Sequence, residues 1–236
     1  MIDEVVNNGR ASTTDKIASK KKILVVDDEK NIRLTVQHSL IAANYDVETA
    51  SNGAEGLEKF KAGHYDLILM DLRMPQINGI EMLREIKARD KHAAAIVITA
   101  YLTIDTLLEA FSLGVSDYIR KPFSPNDVRE TVRRVLARET ISEATVETKR
   151  DPAGMLELAR RVLGDNDIDS AIEYARKSIG ANPNNPDAHA FLGILLHLQD
   201  HSDQAEQAFR EALLLDPQHQ LSRDYLFWMQ SKLRPL

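Results

Sequence analysis

The chain has no cysteine, a single tryptophan and no apolar run that approaches the length of a membrane span. The lack of cysteine excludes disulfides, thiolate metal sites and a cysteine nucleophile. A transmembrane helix needs about 20 consecutive apolar residues, and the N-terminal sequence MIDEVVNN lacks the positive start and apolar core of a signal peptide. These absences together predict a cytoplasmic protein without a membrane segment.

Basic residues are scarce in the C-terminal part of the chain, and the net charge of all 236 residues is −6. Residues 20–139 carry 18 basic and 18 acidic side chains, whereas residues 140–236 carry 10 basic and 15 acidic ones. A protein that binds the phosphate backbone of a nucleic acid needs a basic face. The acidic C-terminal part therefore argues against direct binding of DNA or RNA.

Residues 21–139 alternate short apolar runs with amphipathic segments of helical periodicity. The runs are ILVV (23–26), DVET (46–49), DLILM (66–70), AIVI (95–98) and DYIR (117–120). The segments that follow them lie near 31–42, 54–61, 80–88, 104–113 and 125–138. Five strands alternating with five helices predict a doubly wound α/β domain with a parallel sheet covered on both faces. We expect the flavodoxin-like strand order 2-1-3-4-5.

Four of the five predicted strands end in polar residues. Asp27 and Asp28 follow the first strand, Asp71 the third, Thr99 the fourth and Lys121 the fifth. In an open parallel sheet, ligands bind at the carboxyl ends of the strands, and the expected strand order makes these four strands consecutive. We therefore expect three carboxylates, a hydroxyl and an ammonium group to converge on one edge of the sheet.

This set of groups favours phosphoryl chemistry. Carboxylates packed this closely resist ionisation unless a cation neutralises them. Oxygen ligands without histidine or cysteine favour Mg²⁺, or a similar hard ion such as Mn²⁺. A carboxylate beside such an ion, with a lysine and a hydroxyl directed at the same point, is suited to accept a phosphoryl group. The nucleophile in this hypothesis is Asp71.

Residues 21–139 are similar to the receiver domain of two-component response regulators. The motifs that carry the resemblance are VVDDE (25–29), MDLRMPQINGIE (70–81), ITAY (98–101) and DYIRKPF (117–123). The resemblance implies that Asp71 is the phosphorylated residue. It further implies that Asp28 binds Mg²⁺ directly, that Asp27 binds it mostly through water, and that Asp71 and the backbone carbonyl of Arg73 are the other ligands.

The resemblance also implies how phosphorylation changes the surface of the domain. Lys121 pairs with the phosphoryl oxygens, and Thr99 donates a hydrogen bond to one of them. The movement of Thr99 lets the aromatic ring of Tyr118 turn, which changes the surface around the fifth strand. In the family, the peptide bond between Lys121 and Pro122 is typically cis, a state that the sequence alone does not establish.

Two long side chains are candidates for tuning the lifetime of the phosphorylated state. Arg73 stands two residues after Asp71, and Tyr101 stands two residues after Thr99. Both are long enough to cover a phosphoryl group and to hinder an attacking water. We therefore expect slow self-dephosphorylation.

After about residue 139 the chain has only helical periodicity, and it repeats with an offset of 34 residues. At this offset Ala171 aligns with Ala205, and Pro183 aligns with Pro217. This period, with small residues at helix crossings and a proline after the second helix, resembles tetratricopeptide repeats. The predicted organisation is a disordered tail at 1–20, the receiver-like domain at 21–139, a linker at 140–151, repeats at 152–185 and 186–219, and a capping helix within 220–236.

Two repeats are fewer than the three or more that such arrays usually need to bury a continuous core. The exposed end must therefore be covered by the receiver-like domain, by a second copy in a homodimer, or by a partner. The first helix of each repeat lines the concave face in the family. The expected groove residues are Leu156, Arg160, Leu163, Ala190, Ile194, His197 and Trp228. This mostly apolar set fits an amphipathic helix or extended peptide of an unknown protein.

The leading functional hypothesis is a phosphorylation-controlled adaptor without a separate enzyme activity. It would receive its phosphoryl group from a sensor histidine kinase or a phosphotransfer protein and switch the protein contacts of the repeats. One alternative is an aspartyl-phosphate phosphatase. Such enzymes have a DxD pattern at the end of a strand, with a second acid two residues after the nucleophile. In this chain that position holds Arg73, which argues against the alternative. The other alternative is a constitutive scaffold in which the receiver-like fold serves only for dimerisation.

Overall fold

The computed structural model describes residues 20–100, 103–144 and 151–232. The predicted tail up to residue 19, the side chain of Tyr101 and the part of the predicted linker at 145–150 lie outside the described residues. Within the described ranges, side chains are described except for those of residues 138–144 and residue 232.

Five parallel strands form one sheet in the order β2-β1-β3-β4-β5, which confirms the predicted fold class. The strands are β1 (Lys22–Val26), β2 (Asp46–Ala50), β3 (Leu67–Asp71), β4 (Ala95–Thr99) and β5 (Asp117–Arg120). Every residue of β3 and β4 is buried, as expected for central strands with helices on both faces. The register pairs Asp71 with Ile98 and Thr99 with Arg120, so the ends of β3, β4 and β5 lie side by side.

Five helices cover the two faces of this sheet. They are α1 (Lys30–Ala42), α2 (Gly53–Ala62), α3 (Gly79–Arg89), α4 (Ile104–Ser112) and α5 (Pro125–Ala144). On one face, an apolar core joins Val36 and Leu40 of α1 to Val128 and Val132 of α5 and to the strands beneath them. The core on the other face includes buried residues of α2, α3 and α4. Because α5 continues to Ala144, the first residues of the predicted linker are helical.

The loop after β3 is held close to the strand end. The Asn78 side chain accepts a hydrogen bond from the backbone N–H of Glu81, and the Glu81 carboxylate accepts one from the backbone N–H of Asn78. This capping box starts α3. A Cβ atom at Gly79 would lie 2.2 Å from the carbonyl oxygen of Asp71. Only glycine therefore allows α3 to begin so close to the end of β3.

The C-terminal part consists of helices arranged with the predicted period. They are α6 (Pro152–Gly164), α7 (Ile168–Ala181), α8 (Pro186–Leu198), α9 (Ser202–Leu215) and α10 (Gln220–Lys232). The starts of α6, α8 and α10 are 34 residues apart (152, 186 and 220), and so are those of α7 and α9 (168 and 202). The helix predicted to cap the array therefore occupies the position of the first helix of a third repeat.

Small and aromatic residues set the packing within the repeats. A Cβ atom at Gly193 of α8 would lie 2.7 Å from a ring carbon of Phe209 on α9. The ring of Phe209 stacks in turn on that of Tyr225 in α10, with centroids 4.1 Å apart. The lack of a side chain at Gly193 lets a large aromatic fill the space between successive helices.

The predicted groove of the repeats is not an open surface in this structure. Leu156, Leu163, Ala190 and Ile194 are all buried in an apolar cluster that also contains residues of α4. The remaining three residues contact their neighbours: Arg160 reaches the receiver-like half, and His197 packs against Tyr225 and Trp228. The four apolar residues of the expected groove are thus covered in this conformation, and α4 of the same chain lies against α8 and α10. Binding of a protein partner at these residues stays a prediction.

None of the helices within the described residues is long and apolar enough to cross a membrane.

Replacing Gly193 with alanine should destabilise the repeats by about 1–3 kcal/mol, because the added methyl group overpacks the contact with Phe209. Gly180 is the matched control, since a Cβ there meets nothing within 4 Å. Its replacement by alanine in the helix should stabilise the repeats by about 0.5–1 kcal/mol. Urea denaturation followed by the fluorescence of Trp228, the only tryptophan of the chain, measures both changes. Equal effects of the two substitutions would contradict this packing.

Candidate functional site

The carboxyl edge of the sheet brings together the polar residues that follow β1, β3, β4 and β5. Asp27 and Asp71 are buried side by side, while Asp28 is exposed at the rim. Thr99 at the end of β4 is completely buried. The structure therefore places all five residues predicted from the strand ends at one edge, as the parallel topology requires.

The ammonium group of Lys121 lies at the centre of this site. Its Nζ atom is 2.6 Å from Asp71 Oδ2, 2.9 Å from Asp27 Oδ2 and 2.9 Å from Glu29 Oε1. The Lys121 side chain is largely buried, as are those of its two aspartate partners, whereas Glu29 is exposed. One cation thus partly compensates three carboxylates in a place with little access to water.

Burial and charge act in opposite directions on these groups. Burial raises the pKa of the Asp27 carboxyl, and the hydrogen bond and charge of Lys121 oppose that effect without cancelling it. Burial alone would lower the pKa of Lys121, but its hydrogen bonds to Asp71, Asp27 and Glu29 raise it above the ordinary value. Lys121 therefore carries a positive charge at neutral pH, and this single charge faces the three carboxylates of Asp27, Asp71 and Glu29.

The three aspartates also fit a metal ion. One carboxylate oxygen from each of Asp27, Asp28 and Asp71 lies within 4.8 Å of the other two. Carboxylates without nitrogen or sulfur ligands suit a hard divalent cation such as Mg²⁺ or Mn²⁺. A divalent ion at this point would supply the positive charge that Lys121 alone does not provide.

Backbone groups fix the orientation of the two buried carboxylates. The backbone N–H of Glu29 donates to Asp27 Oδ1 over 2.8 Å, and the backbone N–H of Arg73 donates to Asp71 Oδ1 over 3.1 Å. The Arg73 side chain is exposed beside the site. The Lys121–Pro122 peptide bond is cis, the state that is typical of the family that the sequence resembles.

Two residues at the site were not identified from the sequence. Glu29 pairs with Lys121, and Arg33 of α1 donates from Nη1 to the carbonyl oxygen of Asp27 over 2.5 Å. Glu29 belongs to the motif that follows β1, but its position there does not reveal that its side chain turns towards β5. Arg33 lies one helical turn into α1, a position where an arginine is ordinarily a solvated surface residue.

Tyr118 of β5 lies away from the carboxylates, on the face that packs against the repeats. Its hydroxyl oxygen is buried and has no hydrogen-bond partner among the described residues. Burial, and then the negative charges of Asp224 and Asp117, raise the pKa of Tyr118 well above its ordinary value. The predicted switch residue is therefore a neutral phenol enclosed between the two halves of the chain.

Two family models match the chain: the response regulator receiver domain over residues 23–133, and the tetratricopeptide repeat over residues 162–223. Among solved structures, a CheY-like response regulator receiver domain protein from Methanospirillum hungatei JF-1 is similar, at 30% identity and a TM-score of 0.51. That similarity covers 52% of this chain and 98% of the other.

Two curated relatives come from Bacillus subtilis (strain 168). The chain is 37% identical over 131 residues to the alkaline phosphatase synthesis transcriptional regulatory protein PhoP, and 42% identical over 120 residues to the transcriptional regulatory protein ResD. The matches cover 56% and 51% of this chain, and 55% and 50% of the relatives. The chain thus spans about half the length of the curated relatives it matches.

Replacing Asp28 with asparagine should weaken the binding of Mg²⁺ by at least about tenfold, or about 1.4 kcal/mol, because a charged ligand is lost from the cluster. Asp46 is the matched control, since it is an exposed aspartate at the opposite, amino end of β2. Its replacement by asparagine should leave the affinity unchanged. Isothermal titration calorimetry with MgCl₂ measures both. Equal affinity of the Asp28 variant and the original chain would show that the cluster is not the cation site.

Proposed function

We propose that this chain accepts a phosphoryl group on Asp71 and thereby controls protein contacts of its repeats. Residues 23–133 match the response regulator receiver family, and residues 162–223 match the tetratricopeptide repeat. The observation that carries the proposal is the 2.6 Å pair between Asp71 Oδ2 and Lys121 Nζ beside two further aspartates. The matched relatives are named as transcriptional regulators, but the similarity concerns only about half of their length.

The chemistry follows from the position of Asp71. One of its carboxylate oxygens attacks the phosphorus atom of a phosphohistidine or a small phosphodonor. The new O–P bond forms while the bond from phosphorus to the leaving group breaks, and the leaving group keeps the electron pair. The backbone N–H of Arg73, which donates to Asp71 Oδ1, holds the carboxylate in place for this attack.

The other groups of the site neutralise and position the transferred phosphoryl group. Lys121, already at hydrogen-bond distance from Asp71, pairs with a phosphoryl oxygen. The Thr99 hydroxyl donates to another one from the end of the neighbouring strand. Asp27, Asp28, Asp71 and the carbonyl of Arg73 would hold Mg²⁺, which would offset the negative charge of the phosphoryl oxygens.

The output of the switch is a change at the contact between the two halves. Tyr118 and Arg120 of β5 precede Lys121 by only three residues and one residue, and both lie against the repeats. A movement of Thr99 towards the phosphoryl group lets Tyr118 turn towards the space that is vacated. The enclosed Tyr118 hydroxyl then leaves the contact, and the packing of α4 and β5 on the repeats changes.

This function implies two kinds of protein partner. A histidine kinase or a phosphotransfer protein supplies the phosphoryl group, and a second protein binds the repeats in one of the two states. A phosphatase of the aspartyl-phosphate type is the less favoured alternative, because its second acid would stand where the exposed Arg73 lies.

Replacing Asp71 with asparagine should abolish phosphorylation by acetyl phosphate in the presence of Mg²⁺, because the amide is not a nucleophile at this position. The Asp46→Asn variant should be labelled as fully as the original chain, since Asp46 lies at the far end of the sheet. Mass spectrometry of the intact chain measures the incorporation. Undiminished labelling of the Asp71 variant would assign the phosphoryl group to another residue.

Replacing both Arg73 and Tyr101 with alanine should shorten the lifetime of the phosphorylated chain severalfold, because water then reaches the phosphorus atom more easily. Arg89→Ala is the control, since Arg89 is an exposed arginine at the far end of α3. The decay of phosphoprotein after removal of the donor gives the rate. An unchanged decay rate in the double variant would contradict a shielding role of these side chains.

A further inference from the structure

Two of the three carboxylates at the cation site come from consecutive residues. Asp27 and Asp28 follow β1 directly, and one oxygen of each lies within 4.8 Å of the other and of an oxygen of Asp71. In an extended strand, successive side chains point to opposite faces. The backbone must therefore leave the strand conformation at this turn if both carboxylates are to reach one ion.

The three carboxylates are held in different ways. Asp71 is the last residue of the fully buried strand β3, and its carboxylate accepts hydrogen bonds from the Arg73 backbone and from Lys121. Asp28 is exposed, and the side chain that reaches it contacts its backbone carbonyl oxygen rather than its carboxylate. The backbone of the turn between β1 and α1 therefore decides where the Asp28 carboxylate lies.

That contact with the turn is made by Arg33. Its Nη1 atom donates to the carbonyl oxygen of Asp27 over 2.5 Å and to that of Asp28 over 3.3 Å. Successive carbonyl groups of an extended strand point in opposite directions, whereas these two turn towards the same nitrogen. The guanidinium group thus fixes the bend that brings the two carboxylates together.

Arg33 is itself fixed by the helix that carries it. Its backbone N–H donates to the carbonyl oxygen of Glu29 over 3.0 Å, which closes the first turn of α1. One turn further on, Val36 is completely buried in the core between α1, α5 and the sheet. The Arg33 side chain is only partly exposed. A helix packed on the sheet therefore holds the arginine, and the arginine holds the turn.

The charge of Arg33 and its hydrogen bonds have opposite effects on a bound cation. The positive charge repels every divalent cation alike, while the hydrogen bonds keep two ligands in place. The geometric effect differs between ions, because Mg²⁺ is small and demands near-ideal octahedral coordination, whereas Ca²⁺ is larger and accepts flexible coordination. A rigid turn at Asp27 and Asp28 therefore favours Mg²⁺.

We propose that Arg33 is a positioning residue of the cation site and that it sets the preference of the site for Mg²⁺ over Ca²⁺. It holds the carboxylates of Asp27 and Asp28 at the spacing of a small ion and keeps the turn from widening around a larger one. The proposal rests on the proposed function, in which Mg²⁺ at this site serves phosphoryl transfer to Asp71, but binding of the ions alone tests it.

Isothermal titration calorimetry of the full-length chain with MgCl₂, and separately with CaCl₂, measures the two affinities. Replacing Arg33 with alanine should weaken the binding of Mg²⁺ by at least about tenfold, as the loss of an outer partner of a metal site commonly does. The binding of Ca²⁺ should weaken by no more than about threefold, because the freed turn adapts to the larger ion. The preference for Mg²⁺ should therefore fall at least about threefold.

Two further variants separate geometry from charge. Lys30 is the exposed first residue of α1, so Lys30→Ala removes a positive charge from the same end of the helix. It should change both affinities by less than about twofold and leave their ratio unchanged. Arg33→Lys keeps the charge and a shorter donor, so it should recover part of the preference for Mg²⁺. Circular dichroism checks that each variant is folded. If Arg33→Ala is unfolded, Arg33→Lys alone should still lower the preference at least about twofold.

Three results would overturn the proposal. Equal weakening of both ions by Arg33→Ala would leave the arginine a general structural role. Tighter binding of both ions by Arg33→Ala and Lys30→Ala alike would leave it only its charge. Failure of the original chain to bind Mg²⁺ would remove the site that Arg33 is proposed to hold.

The labelling of Asp71 is a separate measurement, because ion binding involves no phosphoryl group. If Asp71 is not labelled while the ion preference responds to Arg33, the positioning role stands and the proposed function fails. If Asp71 is labelled while the preference is the same in every variant, the positioning role is refuted and the phosphoryl acceptance stands.

Discussion

The carboxyl edge of the parallel sheet depends on Lys121, whose positive charge partly compensates the carboxylates gathered there. Asp27 and Asp71 are buried next to each other, and they tolerate this because the lysine ammonium lies within 2.9 Å of both. The five-stranded topology makes the arrangement possible. Asp71 and Lys121 are 50 residues apart in sequence, yet the parallel strands that they follow or end bring both to the same edge of the sheet. Asp27, Asp28, Asp71 and Glu29 gather around one lysine, so a divalent cation at the three aspartates would offset negative charge that Lys121 alone does not pair.

The same strand links this edge to the second half of the chain. Lys121 follows β5 directly, while Tyr118 and Arg120 of β5 lie at the contact with the repeats. The lysine of the carboxylate site and the arginine that pairs with Asp224 are thus consecutive residues of the chain. The apolar contact of Phe111 with Phe191 holds the halves together, and the unsatisfied polar atoms around Tyr118 and Asp224 limit how firmly they are held.

The sequence predicted those features that depend on periodicity. Strand ends carry their side chains to one edge in any doubly wound sheet, so Asp27, Asp28, Asp71, Thr99 and Lys121 could be placed together before the structure was known. The helices of the repeats begin within the predicted segments because the 34-residue period sets the spacing of their starts. The turn of Glu29 towards Lys121 was not predictable, since it depends on side-chain reach. The closure of the groove was missed for a related reason: a period tells which face of a helix is apolar but not which element covers it.

The central claim is that phosphoryl chemistry at Asp71 changes the contact between the two halves. Hydrogen exchange of the full-length chain, with and without acetyl phosphate and Mg²⁺, tests it most directly. We predict that phosphorylation increases exchange in α4 and also in α8 and α10, and that the Asp71→Asn variant shows no change under the same conditions. A change confined to residues 99–138, with none beyond Pro152, would show that the two halves are merely tethered and would contradict the account.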